Sequence, residues 1–140
     1  MFMAHGFLRR IFEIFDRYEV PVDMISTSEV SVSLTLESAD RLAPILVELR
    51  EFSEVRVDEN QSIVCIVGEN IRDTPGIAAR LFHSLGDINV RMASQGASAL
   101  NFGIVVANDD LREAVRRIHN EFFSELDPAV FDGNHEVIHA

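Results

Sequence analysis

The chain repeats itself, and that repeat constrains its fold more than any other feature. GFLRRIFEIFDRYEVPVD starts at Gly6 and GIAARLFHSLGDINVR starts at Gly76. Each opens on glycine and then places apolar residues on one helical face. In the first copy the stripe is Leu8, Ile11, Phe12 and Phe15, the i, i+3, i+4, i+7 spacing of an amphipathic helix. In the second it is Ile77, Leu81, Phe82 and Leu85, with Phe82 in register with Phe12. VDMISTSE then matches VRMASQGA, aligning Val22 with Val90, Met24 with Met92 and Ser26 with Ser94. A second extended run follows in both copies, VSVSLTLE and LNFGIVVA. The offset stays near seventy residues throughout, which a chance set of matches would not hold.

The remaining segments complete the element order. Residues 39–52 predict a helix with Leu42, Ile45, Leu46 and Leu49 inward and Pro44 in its first turn, where a missing N–H does little harm. EVRVDE (54–59) alternates like a strand, and SIVCIVGE (62–69) is a continuous apolar run that predicts a buried strand. Residues 109–123 predict a helix with Leu111, Val115, Ile118 and Phe122 inward and Asp109 or Asp110 as its cap. The order is α-β-β-α-β, then β-α-β-β-α, then a tail.

That is two tandem copies of the ferredoxin-like βαββαβ pattern, an α+β fold with antiparallel sheets and helices on one face. One strand is missing at each outer end, so a strand is expected ahead of residue 1. The expected division is 1–60, 61–126 and a tail over 127–140. That tail is expected to be loosely ordered, with AVF or EVIHA as a partial substitute strand.

Composition narrows the function. The chain has 140 residues and is 47% hydrophobic, so it can bury a core. Its net charge is −11, it has no lysine, and its twelve arginines are dispersed. Nucleic acids and anionic membranes are recognised by clustered Lys and Arg, so neither is an expected partner. No apolar run approaches the ~20 residues of a membrane span. The single cysteine, Cys65, lies in IVCIVG and reads as a reduced core residue, which points to the cytoplasm.

The chain has no GxxxxGK[ST], GxGxxG, CxxC or HExxH motif. Its five histidines do not pair with carboxylates at ligand spacing. His135 and His139 sit at i, i+4, but in the tail. No catalysis, metal or cofactor is expected of this chain.

The starts of the two repeated helices are more informative. A helix N-terminus offers unpaired N–H groups and the positive end of the dipole, which suits a carboxylate. MAHGFL precedes the first helix, with no capping side chain at Ala4 or His5. GENIRDTPGI precedes the second, where Asp73 or Thr74 reads as N-cap and Pro75 as the first helical residue. The first start is open to two readings: water or backbone satisfies its donors, or a ligand carboxylate does. Asp23 is also open to two readings. It is a solvated strand-end residue, or it is a cation acceptor near the helix start. Its counterpart in the second copy is Arg91, an inversion of charge that favours divergence in what each copy accommodates. An anion-accepting helix start beside a cation-accepting carboxylate suits an amino acid, above all one with a second amino group.

VDMISTSEVSVSLTLE resembles the signature of the C-terminal regulatory region of aspartate kinases, close to V-D-[LMV]-[IV]-x-T-S-E-V-[SA]-[VI]-[SA]-L-T-L. INVRMASQGASALNFGIVV resembles the same family's I-N-[IV]-x-[ML]-[IC]-x-[QY]-G-[AS]-S-x-x-N. The resemblance covers residues 3–124 and is to lysine-sensitive members. It implies paired ACT domains, small βαββαβ ligand-binding modules that pair between subunits as a homodimer and bind an end-product amino acid at the interface. It also implies a kinase domain N-terminal to this region. Carried over by position, the implied L-lysine site takes Met1, Ala4, Gly6, Phe7 and Leu8 from the loop and helix start. It takes Pro21, Val22 and Asp23 from the next strand, and Thr27, Ser28 and Glu29 from across the dimer. Family members often carry Ser at the Pro21 position and a polar residue at the Ala4 position. The competing expectations are a free-standing sensor of threonine or another amino acid, and a ligand-free dimerisation module of the same fold.

Overall fold

The computed structural model describes residues 5–123. Helix α1 (Phe7–Arg17) leads to strands β1 (Ile25–Thr27) and β2 (Val32–Leu34), then helix α2 (Leu42–Arg50). Strand β3 (Gln61–Val67), helix α3 (Ile77–Leu85), strands β4 (Met92–Gln95) and β5 (Asn101–Ala107) and helix α4 (Leu111–Phe123) form the second copy. β1 and β2 make an antiparallel hairpin. β3, β5 and β4 make an antiparallel sheet in that spatial order.

The repeat holds at the level of single residue pairs. Ile25↔Leu34, Ser26↔Ser33 and Thr27↔Val32 pair in the first copy, and Ala93↔Ile104, Ser94↔Gly103 and Gln95↔Phe102 pair in the second. The copies differ in the loop, which is residues 28–31 in one and 96–101 in the other. A two-residue insertion that leaves register unchanged keeps the same side chains on the same face.

Each copy has its own core. Ile11, Ile14 and Phe15 of α1 pack with Ile45 and Leu49 of α2, under Val32 and Leu34 of the hairpin. Val64, Phe102, Ile104 and Val106 face Leu81 and Leu85 of α3 and Ala114 and Ile118 of α4. The alternate residues of β5 thus define the helix-covered face, as period-2 alternation requires. Ile45, Leu81, Ile104 and Val106 are fully buried, each stabilising the fold by about 1.5–3 kcal/mol.

Several expectations change. Phe12 (41% exposed), Phe82 (44%) and Leu8 (37%) lie outside the cores, and Ile14 takes the inward place in α1. The helix stripe is narrower than its sequence pattern because only one side of each helix meets a sheet. Phe82 still makes an edge contact with Phe102, at 6.0 Å between centroids. Residues 54–59 are extended but form no ladder among the described residues, although Val55 packs on the first core. The predicted strand at 62–69 is shifted to Gln61–Val67 and only half-buried: Val64 alone is buried and Val67 is 70% exposed.

Cys65 is correspondingly exposed rather than a core residue, because it points to the face away from the helices. Helix α2 begins at Leu42, with Pro44 still in its first turn. Asp109 and Asp110 lie in a 3-10 turn (Asn108–Asp110) ahead of α4 and make no capping bond in that turn. The tail expected over 127–140, with AVF, EVIHA, His135 and His139, lies outside the described residues.

Candidate functional site

Both repeated helices start in the same unusual way. Gly6 (φ 85°, ψ 4°) and Gly76 (φ 84°, ψ −7°) are the N-caps, both left-handed and both without a capping side chain. A left-handed N-cap needs glycine because a Cβ meets the backbone there. The capping role expected of Asp73 or Thr74 is therefore overturned, and Pro75 precedes the helix rather than opening it. The Thr74 hydroxyl instead donates to the Asn70 carbonyl at 2.8 Å, and Asp73 accepts from Arg72 at 3.2 Å. The hydroxyl and carboxylate are drawn back into the preceding turn, so neither reaches the helix N–H groups. The two helix starts are alike, and the difference between the copies lies in the strand that follows.

That strand is positioned from the end of α1. Glu19 adopts a left-handed conformation (φ 53°), and its N–H donates to the Asp16 carbonyl while that of Val20 donates to Phe15. This is a Schellman closure, and it turns the chain back along the helix. A shallow groove lined by Arg9, Phe12, Glu13, Phe15, Asp16, Val20 and Val22 separates α1 from the returning segment. The segment thus runs back toward the start of α1, with Val22 packed on the same core as Phe7. Phe7 is further held edge-on to Phe52, at 5.7 Å between centroids.

Asp23 follows Val22. Its side chain is exposed, while its backbone N–H donates to the Thr35 carbonyl at 3.0 Å. The next residue is bound twice: Met24 N–H donates to Thr35 Oγ1 at 2.9 Å and Met24 O accepts from Thr35 N–H at 3.0 Å. Three bonds to one threonine fix the backbone that carries the Asp23 carboxylate. Thr35 is not among the site residues expected from the sequence. A hydroxyl at a half-buried place in an alternating strand is the signal that could have marked it. The second copy repeats the arrangement, with Arg91 N–H donating to the Val105 carbonyl at 2.8 Å. Asp23 and Arg91 are therefore structural equivalents of opposite charge.

The other expected site residues separate into two groups. Gly6, Phe7, Leu8, Pro21, Val22 and Asp23 belong to α1 and the segment returning along it. Thr27 ends β1, and Ser28 and Glu29 form the hairpin turn beyond it. Ser28 N–H donates to the Ser31 carbonyl at 2.9 Å, and Ser28 Oγ accepts from Val30 and Ser31 N–H groups. Ser28 thus shapes the turn, and Glu29 is exposed on it. Of the expected residues, Val22 alone lines the groove. Met1 and Ala4 lie outside the described residues. No group of three or more His, Cys, Asp or Glu side chains among the described residues could hold a metal ion. No helix among the described residues is long and apolar enough to cross a membrane.

Comparison with known proteins identifies the fold and its family. Residues 64–122 match the ACT domain family. A chain from Porphyromonas gingivalis W83 described as a C-terminal regulatory domain of aspartate kinase is 36% identical. The match covers 87% of each chain with a TM-score of 0.77. Escherichia coli aspartokinase III, solved in complex with lysine and aspartate in its T-state, is 35% identical over 86% of this chain and 28% of its own, with a TM-score of 0.75. The aspartokinase of Schizosaccharomyces pombe is 41% identical over 128 residues, which are 88% of this chain and 25% of the yeast protein. The chain thus spans about a quarter of the length of the curated kinases it matches. The duplicated ferredoxin-like architecture, the paired glycine-capped helix starts and these likenesses together place the chain in the family of ACT-domain regulatory regions of aspartate kinases.

Proposed function

We propose that this chain is the part of a cytoplasmic aspartate kinase that senses an end-product amino acid, L-lysine, and restrains a kinase domain elsewhere in the full-length protein. The first module, residues 1–60, takes the effector, and the second, 61–126, supports it. The carrying observation is the charge inversion at equivalent, backbone-fixed positions, Asp23 in one copy and Arg91 in the other. An uncapped helix start accepts the α-carboxylate, and the Asp23 carboxylate accepts the ε-ammonium. The E. coli relative solved with lysine supports the choice of ligand.

The remaining pieces of the proposal follow from the exposure of the site. Gly6, Leu8, Pro21, Asp23 and Glu29 are all exposed in a single chain, and a ligand is held tightly when most of its surface is buried. A second copy supplies the missing wall, with Thr27, Ser28 and Glu29 of its hairpin turned toward the pocket. Lysine prefers one arrangement of the pair, and that preference transmits to the kinase.

A thermal-shift screen of the twenty amino acids tests the reading, since a ligand at 100 times its Kd stabilises by about 2.7 kcal/mol. Lysine is expected to raise Tm in the native chain and to lose its effect in Asp23→Ala. No response to any amino acid would rule out effector sensing. An equal response in both proteins would rule out the site.

A further inference from the structure

The face of the second sheet away from its helices carries Cys65 on β3, Gly103 and Val105 on β5, and Met92 and Ser94 on β4. These are the partners of one another in the ladders Cys65↔Gly103↔Ser94 and Met92↔Val105. Cross-strand partners in an antiparallel ladder lie on the same face. Gly103 is buried there, and its neighbour comes from the other module. A Cβ placed on Gly103 would lie 3.3 Å from Met24 Sδ and 3.4 Å from Met24 Cε, with Cys65 Sγ at 3.6 Å. Met24 therefore leaves the first module and fills the space that any other residue at 103 would take. Its backbone is pinned by Thr35, and it directly follows Asp23.

The equivalent places in the other copy differ. The residue of the first copy equivalent to Gly103 is Ser33, which is exposed, and the equivalent of Met24 is Met92, a half-buried residue of β4. A glycine in a strand interior is unfavourable by itself and is found where another group approaches closely. Here the approaching group is the side chain next to the proposed ammonium acceptor.

We infer that Met24 seated over Gly103 is a joint between the two modules that fixes the strand carrying Asp23, making Gly103 and Met24 positioning residues for the effector pocket. The link to the pocket rests on the function proposed above, whereas the joint itself does not. Methionine suits the place because its unbranched thioether fills an irregular gap. A side chain at 103 must displace the Met24 thioether, and the strand that carries Asp23 then loses this packing.

The single cysteine gives a readout that needs no ligand. Burial pushes the Cys65 thiol pKa up, although the residue as a whole is exposed, and its sulfur borders the same gap at Gly103 that Met24 fills. In Met24→Ala, alkylation of Cys65 at neutral pH is expected to accelerate by about threefold or more as access and thiolate fraction both rise. Met24→Leu, which refills the gap, should restore the native rate. An unchanged rate in Met24→Ala would overturn the joint.

The ligand arm uses Gly103→Val alone and combined with Met24→Ala. The single variant is expected to bind lysine about tenfold more weakly by calorimetry, and the double variant, with room restored, to recover. Equal lysine binding by the native chain and a folded Gly103→Val variant would overturn the positioning role while leaving the effector reading intact. If the native chain bound no amino acid, the effector reading and the positioning role would both fall, and the alkylation rates would still decide whether the joint exists.

Discussion

At the residue scale, two glycines of matching conformation separate structure from binding. Beyond the adjoining residues, no atom of the described residues lies within 4 Å of a Cβ built on Gly6 or on Gly76. A substitution at either place is therefore opposed by its backbone dihedral alone, and Gly6→Ala and Gly76→Ala should each cost about 1–2 kcal/mol. Denaturant midpoints with unchanged m-values would show this equality. Lysine binding should fall in the Gly6 variant only, because the proposed pocket takes Gly6 and not Gly76. The core residues give a larger effect. Ile45 and Leu81 have no measurable exposure, so Ile45→Ala and Leu81→Ala should each cost about 2–5 kcal/mol. Asp23 could be picked out by its odd place before a strand, and Thr35 only as a hydroxyl at a half-buried place in an alternating strand. Its role comes from a hydrogen bond across the hairpin, and no local pattern records that partner.

At the element scale, α4 is tied to α3 through charge. Glu113 accepts from Arg116 at 2.6 and 2.8 Å and from Arg117 at 2.7 Å. Arg117 also donates to the Leu85 carbonyl and to Asp87, both at 2.7 Å. It thereby satisfies a carbonyl at the C-terminal end of α3, where a cation also meets the favourable end of the dipole. Bonds from Arg116 first, and then from Arg117, lower the Glu113 pKa from 4.5 to about 2.

A carboxyl depressed in the folded state contributes stability that is complete above its unfolded pKa. That contribution is lost as pH falls through the folded value. The loss from Glu113 should therefore fall between about pH 4.5 and about pH 2. Glu113→Gln should flatten the acid limb of a denaturation-midpoint titration slightly and lower neutral stability by the same small amount, since exposed pairs contribute little. Helix boundaries were legible to within a few residues from periodicity. The caps were not, because a glycine in a left-handed conformation outcompeted the capping residues that composition favoured.

At the scale of the whole molecule, two cores share no buried residue. Mutations in different cores with no common partner should add to within about 0.5 kcal/mol. The combined Ile45→Ala and Leu81→Ala variant tests this, provided the joint at Met24 and Gly103 does not couple them. Non-additivity removed by Met24→Ala would point to that joint as the coupling element. The tandem architecture was legible because each copy carries its own period-3.6 and period-2 patterns, and because a seventy-residue repeat leaves few alternatives. The strand expected over 54–59 was not realised because alternation encodes a face and says nothing of a neighbour. An extended segment becomes a strand only when another backbone supplies its hydrogen bonds.

The sequence by itself determined the duplicated α+β pattern and the family signature around Asp23, both of which depend on local periodicity and residue identity. The tertiary structure decided three things that depend on distant parts of the chain. Phe12 and Phe82 lie outside the cores because each helix meets a sheet on one side only. Cys65 faces away from the helices because its strand is covered by helices on one face. Gly103 is filled by Met24 because the two modules meet there. Periodicity assigns a residue to a face, and only the packing of one face on another decides what that residue touches.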